Sequence, residues 1–175
     1  MSTSHDTTGL LPARARLSQF IRDQADFAAA DLGFGWVGIA DAPSTHADLQ
    51  AAFAESQQTG QPLPISNLYC DDTIFLMPED NIAFRFWHDT SHCRLGLTFS
   101  LPDEWRLTLQ HLAELERSGF GPSSLEYQLL RLDLLGQIIL LGIAGRFPHS
   151  QGHFTRTCAA LGLDTGVLEE LGRVS

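Results

Sequence analysis

The sequence predicts a mainly α-helical protein with little or no sheet, folded as one compact domain around a long central helix. Three observations support this prediction. Apolar residues recur at helical spacing along much of the 175-residue chain. Most of these stretches begin near a helix-capping residue and end at a glycine. One stretch, at about 124–145, is apolar on nearly every side, which is typical of a helix surrounded by other helices.

The first half of the chain predicts two helices joined by extended segments. Residues 1–12 are mostly small and polar and predict a mobile N-terminal arm, which leaves 13–175 as the single helical domain. The predicted elements are, in order, a helix from Arg14 to Leu32 that stops at Gly33, a strand or buried loop at 34–40, a helix capped by Ser44 or Thr45 that ends near Gly60, and extended chain at 61–76 with one β-bridge.

The second half predicts five helices. Pro78 suits the first turn of a helix, and the acidic residues after it suit the positive end of the helix dipole. Two further helices begin with a serine followed three residues later by an acid, which is a capping pattern. The predicted helices run from Pro78 to about Leu95 before Gly96, from the Ser100–Asp103 pattern to Gly119, from the Ser123–Glu126 pattern to about Gly145, and over about 150–162 and 165–172.

The composition is that of a globular protein and argues against a nucleic-acid partner. Apolar residues make up 43% of the chain, and its net charge is −10, from 21 acidic and 11 basic residues. All basic residues are arginines and form no cluster, so no nucleic-acid binding is expected. The N-terminal sequence lacks the apolar core of a signal peptide, and arginine, aspartate and glutamine interrupt the longest apolar stretch. We therefore expect no transmembrane segment and a cytoplasmic location.

One segment, from His88 to Glu104, points to chemistry. His88 and His92 are four residues apart on a predicted helix, so both imidazoles leave the same face and can bind one metal ion. The helix is expected to stop near Gly96, and the next begins at Ser100, so the chain can reverse and bring Glu104 beside the histidines. Mixed imidazole and carboxylate ligands suit zinc first, and also iron or manganese.

This segment resembles two known metal motifs. His88-Asp89-Thr90-Ser91-His92 is similar to the zincin core H-E-x-x-H, with the shorter Asp89 in place of the glutamate that acts as general base. A closer resemblance is to the H-D-x-x-H-x11-E zinc motif of a helical ubiquinone-biosynthesis family, which the seventeen residues from His88 to Glu104 match in spacing. The resemblance implies a zinc ion held by His88, Asp89, His92 and Glu104, with Asp89 and Glu104 as the catalytic carboxylates and an apolar aromatic quinone precursor as substrate.

Simpler interpretations of the same residues remain open. The two histidines can be partly buried side chains bonded to neighbours. Asp89 can pair with Arg85 one turn back, and Glu104 can stabilise the first turn of its helix through the dipole alone. The apolar face of that helix is formed by Leu101, Trp105, Leu109 and Leu112, with Glu104, Thr108 and His111 at its edge, near the boundary between core and solvent.

Three further groups of polar residues are weaker candidates. Asp133 and Gln137 are four residues apart among leucines, where a carboxylate must be paired, protonated or bound to a cation. Bonding to an arginine across the core is the simpler role for Asp133. His111 is expected to be a satisfied edge residue, and His149 and His153 form a second pair that a loop or helix start interrupts.

Two functions follow from these observations. The first is a metal-binding helical domain that acts on a quinone precursor or serves as a metal-dependent hydrolase. The alternative is a non-enzymatic acidic module that binds a protein partner and contains a buried network of histidines and carboxylates without a metal. The substrate, the oligomeric state and the roles of His111, Asp133, His149 and His153 are not fixed by the sequence.

Overall fold

The computed structural model describes residues 9–173, and within them it confirms the mainly helical fold class. Residues 1–8 of the predicted arm lie outside the described residues, and 10–12 belong to the first helix. The described elements are α1 (Leu10–Leu32), β1 (Trp36–Ile39), α2 (His46–Thr59), β2 (Leu63–Ser66), α3 (Pro78–Leu95), α4 (Leu101–Arg117), α5 (Leu125–Ala144), α6 (Gln151–Leu161) and α7 (Leu163–Leu171).

The chain falls into two compact units. The middle unit comprises Ser18–Asp71 and Met77–Leu107, and the C-terminal unit contains the described chain up to Leu17, Asp72–Leu76 and the chain from Thr108 onward. Helices α1 and α4 each contribute residues to both units. The prediction of a single domain over 13–175 stays a prediction.

The small sheet belongs to the middle unit. Strands β1 and β2 pair in parallel, with Trp36 opposite Leu63 and Ile39 opposite Ser66. A parallel pair needs a crossover, and α2 provides it. Thr45 caps α2 and Gly60 ends it in the left-handed region, as predicted. Where the sequence predicted a single β-bridge within 61–76, the chain forms strand β2, which pairs with β1.

Helix α3, which carries the histidine pair, packs closely on this sheet. A Cβ atom on Gly38 of β1 would lie 3.1 Å from Ile82 Cδ1, so the absence of a side chain permits the approach. Asp80 accepts a hydrogen bond from the Met77 amide at 3.1 Å and also pairs with Arg22 of α1. These contacts fix the start of α3 within the middle unit.

In the C-terminal unit, α5 packs against α6 and α7. Leu132, Phe154, Cys158 and Val167 form a buried apolar cluster there. Ser124, rather than the predicted Ser123, caps α5, because its hydroxyl accepts a hydrogen bond from the Tyr127 amide. Glu126, predicted to be a capping residue, is buried and accepts a 2.6 Å hydrogen bond from Arg16 instead.

Helix α5 is also long and apolar enough to cross a membrane, judged by length and composition. Among the described residues it is the one helix with this property, and 44% of its most apolar window is buried inside the protein. The core helix of a globular protein meets the same criteria. The absence of a transmembrane segment therefore stays a prediction.

The orientation of α4 differs from the expectation. Thr108 and His111, placed by the sequence near the boundary with solvent, are each only 1% exposed. Leu101, Trp105 and Leu109 of the apolar face are 39%, 40% and 53% exposed. Leu112, the fourth residue of the predicted apolar face, is buried, so the buried side of α4 combines leucines with Thr108 and His111.

Candidate metal centre

Helix α3 places His88 and His92 on one face, as their spacing predicts. Their Nε2 atoms lie 3.0 Å apart, and the two rings are nearly perpendicular at 77°. His92 is fully buried, whereas 17% of the His88 side chain is exposed. The pair therefore lies at a point where the helix passes from the interior to the surface of the middle unit.

A short turn brings Glu104 back to these histidines. Gly96 ends α3 with φ +65°, a left-handed conformation that favours glycine. Beyond it, the Thr98 amide and hydroxyl donate to Asp103 Oδ2 at 3.0 and 2.6 Å. These bonds hold the pKa of Asp103 well below its usual range and fix the first turn of α4. Glu104, the next residue, is thereby directed toward α3.

The carboxylate of Glu104 bridges both histidines. Its Oε2 lies 3.3 Å from His88 Nε2, and its Oε1 lies 3.3 Å from His92 Nε2. Burial by itself raises the pKa of Glu104, but hydrogen bonds and charge from the two histidines outweigh it and lower the pKa to about 2. Glu104 is thus a carboxylate at neutral pH, and its surroundings favour positive charge beside it.

The turn also fixes the orientation of His92. Its Nδ1 lies 3.3 Å from the Leu97 carbonyl oxygen, a bond that requires the proton on Nδ1. In the neutral ring Nε2 then carries a lone pair, and this lone pair is directed at His88 and Glu104. With both rings neutral, one proton at most, on His88 Nε2, can lie among these atoms. A neutral His92 therefore presents an acceptor nitrogen beside a carboxylate, and such a group could bind a cation.

The distances fit one metal ion. The ligand atoms of His88, His92 and Glu104 all lie within 4.8 Å of one another. For metal–ligand bonds of about 2.0 Å, tetrahedral angles separate neighbouring ligand atoms by about 3.3 Å and right angles by about 2.9 Å. The observed separations of 3.0 and 3.3 Å lie in this interval. The three side chains can hold a metal ion without rearrangement of the helices.

Asp89 is not part of this group of ligand atoms. It is half-buried, and burial raises its pKa to about 6, although the nearby histidines and Arg85 act in the opposite direction. Arg85 donates to the carbonyl oxygens of Ser66 and Leu68, at 2.7 and 2.8 Å. The roles of Asp89 as a fourth ligand or as a base stay predictions.

The other candidates lie in the C-terminal unit and are not members of the group. Asp133 accepts hydrogen bonds from three uncharged side chains rather than from an arginine. His149 precedes α6, and its Nδ1 lies 2.9 Å from Glu170. His153, in the first turn of α6, contacts Arg173. Within residues 9–173, His149 and His153 therefore have different hydrogen-bond partners and do not belong to a common metal-ligand group.

Sequence reasoning missed His46, the first residue of α2. Its ring packs edge-on against Phe99 at 5.5 Å, and Phe99 packs edge-on against His92 at 5.0 Å. His46 Nε2 is buried and has no hydrogen-bond partner within residues 9–173. No pattern in the sequence could have indicated this residue, because it lies 42 positions before His88 and its proximity to the site depends on tertiary packing.

Comparisons with protein-family models, with curated proteins and with solved structures gave no match.

Proposed function

We propose that this protein binds one divalent metal ion through His88, His92 and Glu104 and uses it in catalysis on a small molecule. The observation that carries the proposal is the convergence of two imidazole nitrogens 3.0 Å apart with the two oxygens of Glu104, each 3.3 Å from one of them, with His92 Nδ1 bonded to the Leu97 carbonyl. Two imidazole nitrogens and a carboxylate in this arrangement offer the donor atoms that a divalent metal ion prefers.

The chemistry of the ligands favours zinc, with iron or manganese as alternatives. Three protein ligands leave at least one coordination position open, which is the arrangement of catalytic rather than structural sites. When bound, the ion would act as a Lewis acid or activate a water molecule. Glu104 would bind the ion together with both histidines. Asp89 is proposed as a fourth ligand or as the group that accepts a proton.

The substrate class is proposed from the resemblance to the ubiquinone-biosynthesis family, which implies an aromatic quinone precursor. The aromatic rings beside the site agree with an apolar substrate, because Phe84 lies 5.6 Å from His88 and Phe99 lies 5.0 Å from His92. Hydrolysis at a metal-activated water is the alternative reaction. The metal site does not depend on which of these substrates is used.

The test is the metal content of the purified, untagged protein beside the His88→Ala/His92→Ala variant. We expect about one zinc, iron or manganese per chain in the parent and none in the variant. Metal at one hundred times its Kd should stabilise the parent by about 2.7 kcal/mol, measured as a rise in Tm, and leave the variant unchanged. His149→Ala/His153→Ala is the matched control, because it removes two histidines with the same spacing and should retain the ion.

A protein-interaction module is the second candidate, favoured by the exposed residues Leu101 and Trp105 on α4. The same experiment separates it from the first. If neither protein contains metal, even after incubation with each ion, the histidines and Glu104 form a metal-free polar network and the catalytic proposal is wrong. Partner binding that persists in the metal-free His88→Ala/His92→Ala variant would support the module.

A further inference from the structure

The phenyl ring of Phe99 separates the metal-binding group from His46. It contacts both imidazoles edge-on, at 5.0 Å from His92 and 5.5 Å from His46. All three residues belong to the middle unit. The phenyl ring of Phe99 thus lies against the imidazole of a proposed metal ligand on one side and against the imidazole of His46 on the other.

One ring nitrogen of His46 lacks a hydrogen-bond partner within residues 9–173. Its Nε2 is buried and has no hydrogen-bond partner in the described chain, although buried polar atoms in folded proteins are nearly always paired. A buried nitrogen of this kind is expected to form a hydrogen bond with a bound ligand or with a trapped water molecule.

Phe99 can move without unfolding the turn that carries it. The backbone on either side is fixed by Thr98, which bonds Asp103 and accepts a hydrogen bond from the Ser100 amide at 3.3 Å. The Phe99 side chain itself is exposed on its outer side. A change of its side-chain rotamer would therefore leave Glu104 and the histidines in place.

We propose that Phe99 is a removable cover, and that a bound ligand displaces its phenyl ring and hydrogen-bonds His46 Nε2. The ligand would place an aromatic ring where the phenyl ring lies, with one polar group on the metal and a second on His46. His46 is then a specificity-determining residue for that second polar group. This inference rests on the proposed metal site.

The test uses cobalt-loaded protein, whose visible absorption reports ligands that enter the coordination sphere. The probes are benzohydroxamate, which binds metals through its hydroxamate, and its 3-hydroxy and 4-hydroxy analogues. In the parent, at least one hydroxylated probe should bind about threefold to tenfold tighter than benzohydroxamate, as expected for one added hydrogen bond. His46→Phe should abolish this preference and leave the affinity for benzohydroxamate unchanged, and His46→Gln should restore part of the preference.

Phe99→Ala supplies the second measurement. If the phenyl ring competes with the ligand, its removal should tighten the binding of every probe. If the ring instead forms a wall of the ligand site, its removal should weaken that binding. Phe147→Ala, which truncates an exposed phenylalanine of the C-terminal unit, is the control and should change nothing.

The outcomes separate the two proposals. Failure of the parent to bind cobalt would overturn the metal site and this inference with it. Cobalt binding with a hydroxyl preference that persists in His46→Phe, or with weaker probe binding in Phe99→Ala, would overturn the inference and leave the metal site intact. Loss of cobalt in His46→Phe would also overturn it, because His46 would then support the metal group and not the ligand.

Discussion

Two buried polar clusters, one in each unit, show opposite balances of donors and acceptors. In the middle unit, the Glu104 carboxylate faces the Nε2 atoms of His88 and His92, and the bond from His92 Nδ1 to Leu97 leaves His92 Nε2 as an acceptor in the neutral ring. In the C-terminal unit, Asp133 is fully buried, and its oxygens accept from Thr155 at 2.7 Å and from two glutamines, Gln151 at 2.9 Å and Gln137 at 3.0 Å.

The difference shows why a carboxylate among apolar residues is, by itself, weak evidence for a metal site. Asp133 and Glu104 both lie on helices whose other residues include many leucines, and both were candidates for a metal. Asp133 is completed by uncharged donors from α5 and α6, so it needs no cation. Glu104 faces two imidazoles, and the carbonyl of Leu97 holds one of them as an acceptor. The partner atoms, rather than the carboxylate, decide which cluster can bind an ion.

The sharpest test of this comparison removes each carboxylate from the metal-free protein at pH 8. Asp133→Ala leaves the buried Thr155 hydroxyl and the half-buried amides of Gln137 and Gln151 without their acceptor and should lower the free energy of unfolding by about 2 to 3 kcal/mol. Glu104→Ala removes the hydrogen bonds between the carboxylate and the two imidazoles, but Glu104 is partly exposed and water can replace it, so the loss should be smaller, at about 1 kcal/mol. Urea unfolding of both variants measures the two changes. Equal losses would contradict the contrast drawn between the clusters.

A smaller effect should appear in the pH dependence of stability. Burial raises the pKa of Asp133 from 3.8 to about 6, although the three hydrogen bonds lower it in part. The folded protein therefore holds this proton more tightly than the unfolded chain, so stability from Asp133 is complete below about pH 4 and declines as the pH rises to about 6. At roughly 1.4 kcal/mol per pKa unit, the decline is about 3 kcal/mol at most.

Asp133→Asn should remove this decline. The asparagine amide can donate to both glutamines if their side-chain amides rotate, so the packing is retained. Burial raises the pKa of Asp89 to about 6 as well, so the quantity to compare is the difference between parent and variant in urea unfolding from pH 4 to pH 7. Parallel curves for the two proteins would show that Asp133 does not titrate in this range.

The smallest expected effect concerns the turn that orients His92. Gly96→Ala forces a side chain into the left-handed region at φ +65° and should cost about 1 kcal/mol of stability. It should also weaken metal binding, because the Leu97 carbonyl that orients His92 follows directly. Gly60→Ala is the matched control, since Gly60 ends α2 in the same unit at φ +70°. Calorimetric titration with zinc should show a weaker affinity for Gly96→Ala alone.

Much of the fold and of the metal group could be predicted from the sequence, because local signals specify both. Prolines, capping residues and glycines mark the helix ends, and the spacing from His88 to Glu104 predicts their approach across one turn. The parallel pairing of β1 with β2 could not be predicted, since it joins residues about 27 positions apart through a crossover. The burial of Thr108 and His111 on α4 and the contact of His46 with Phe99 depend on which elements pack together, and local sequence patterns do not specify that packing.

The turn between α3 and α4 has a consequence for how the site assembles. All three ligands lie within seventeen residues, so the chain that must close to form the chelate is short and its entropy cost is small. Contacts of such low sequence separation form early in folding compared with pairings of distant segments. An ion bound there would link the end of α3 to the start of α4, so metal binding would contribute to the stability of this turn.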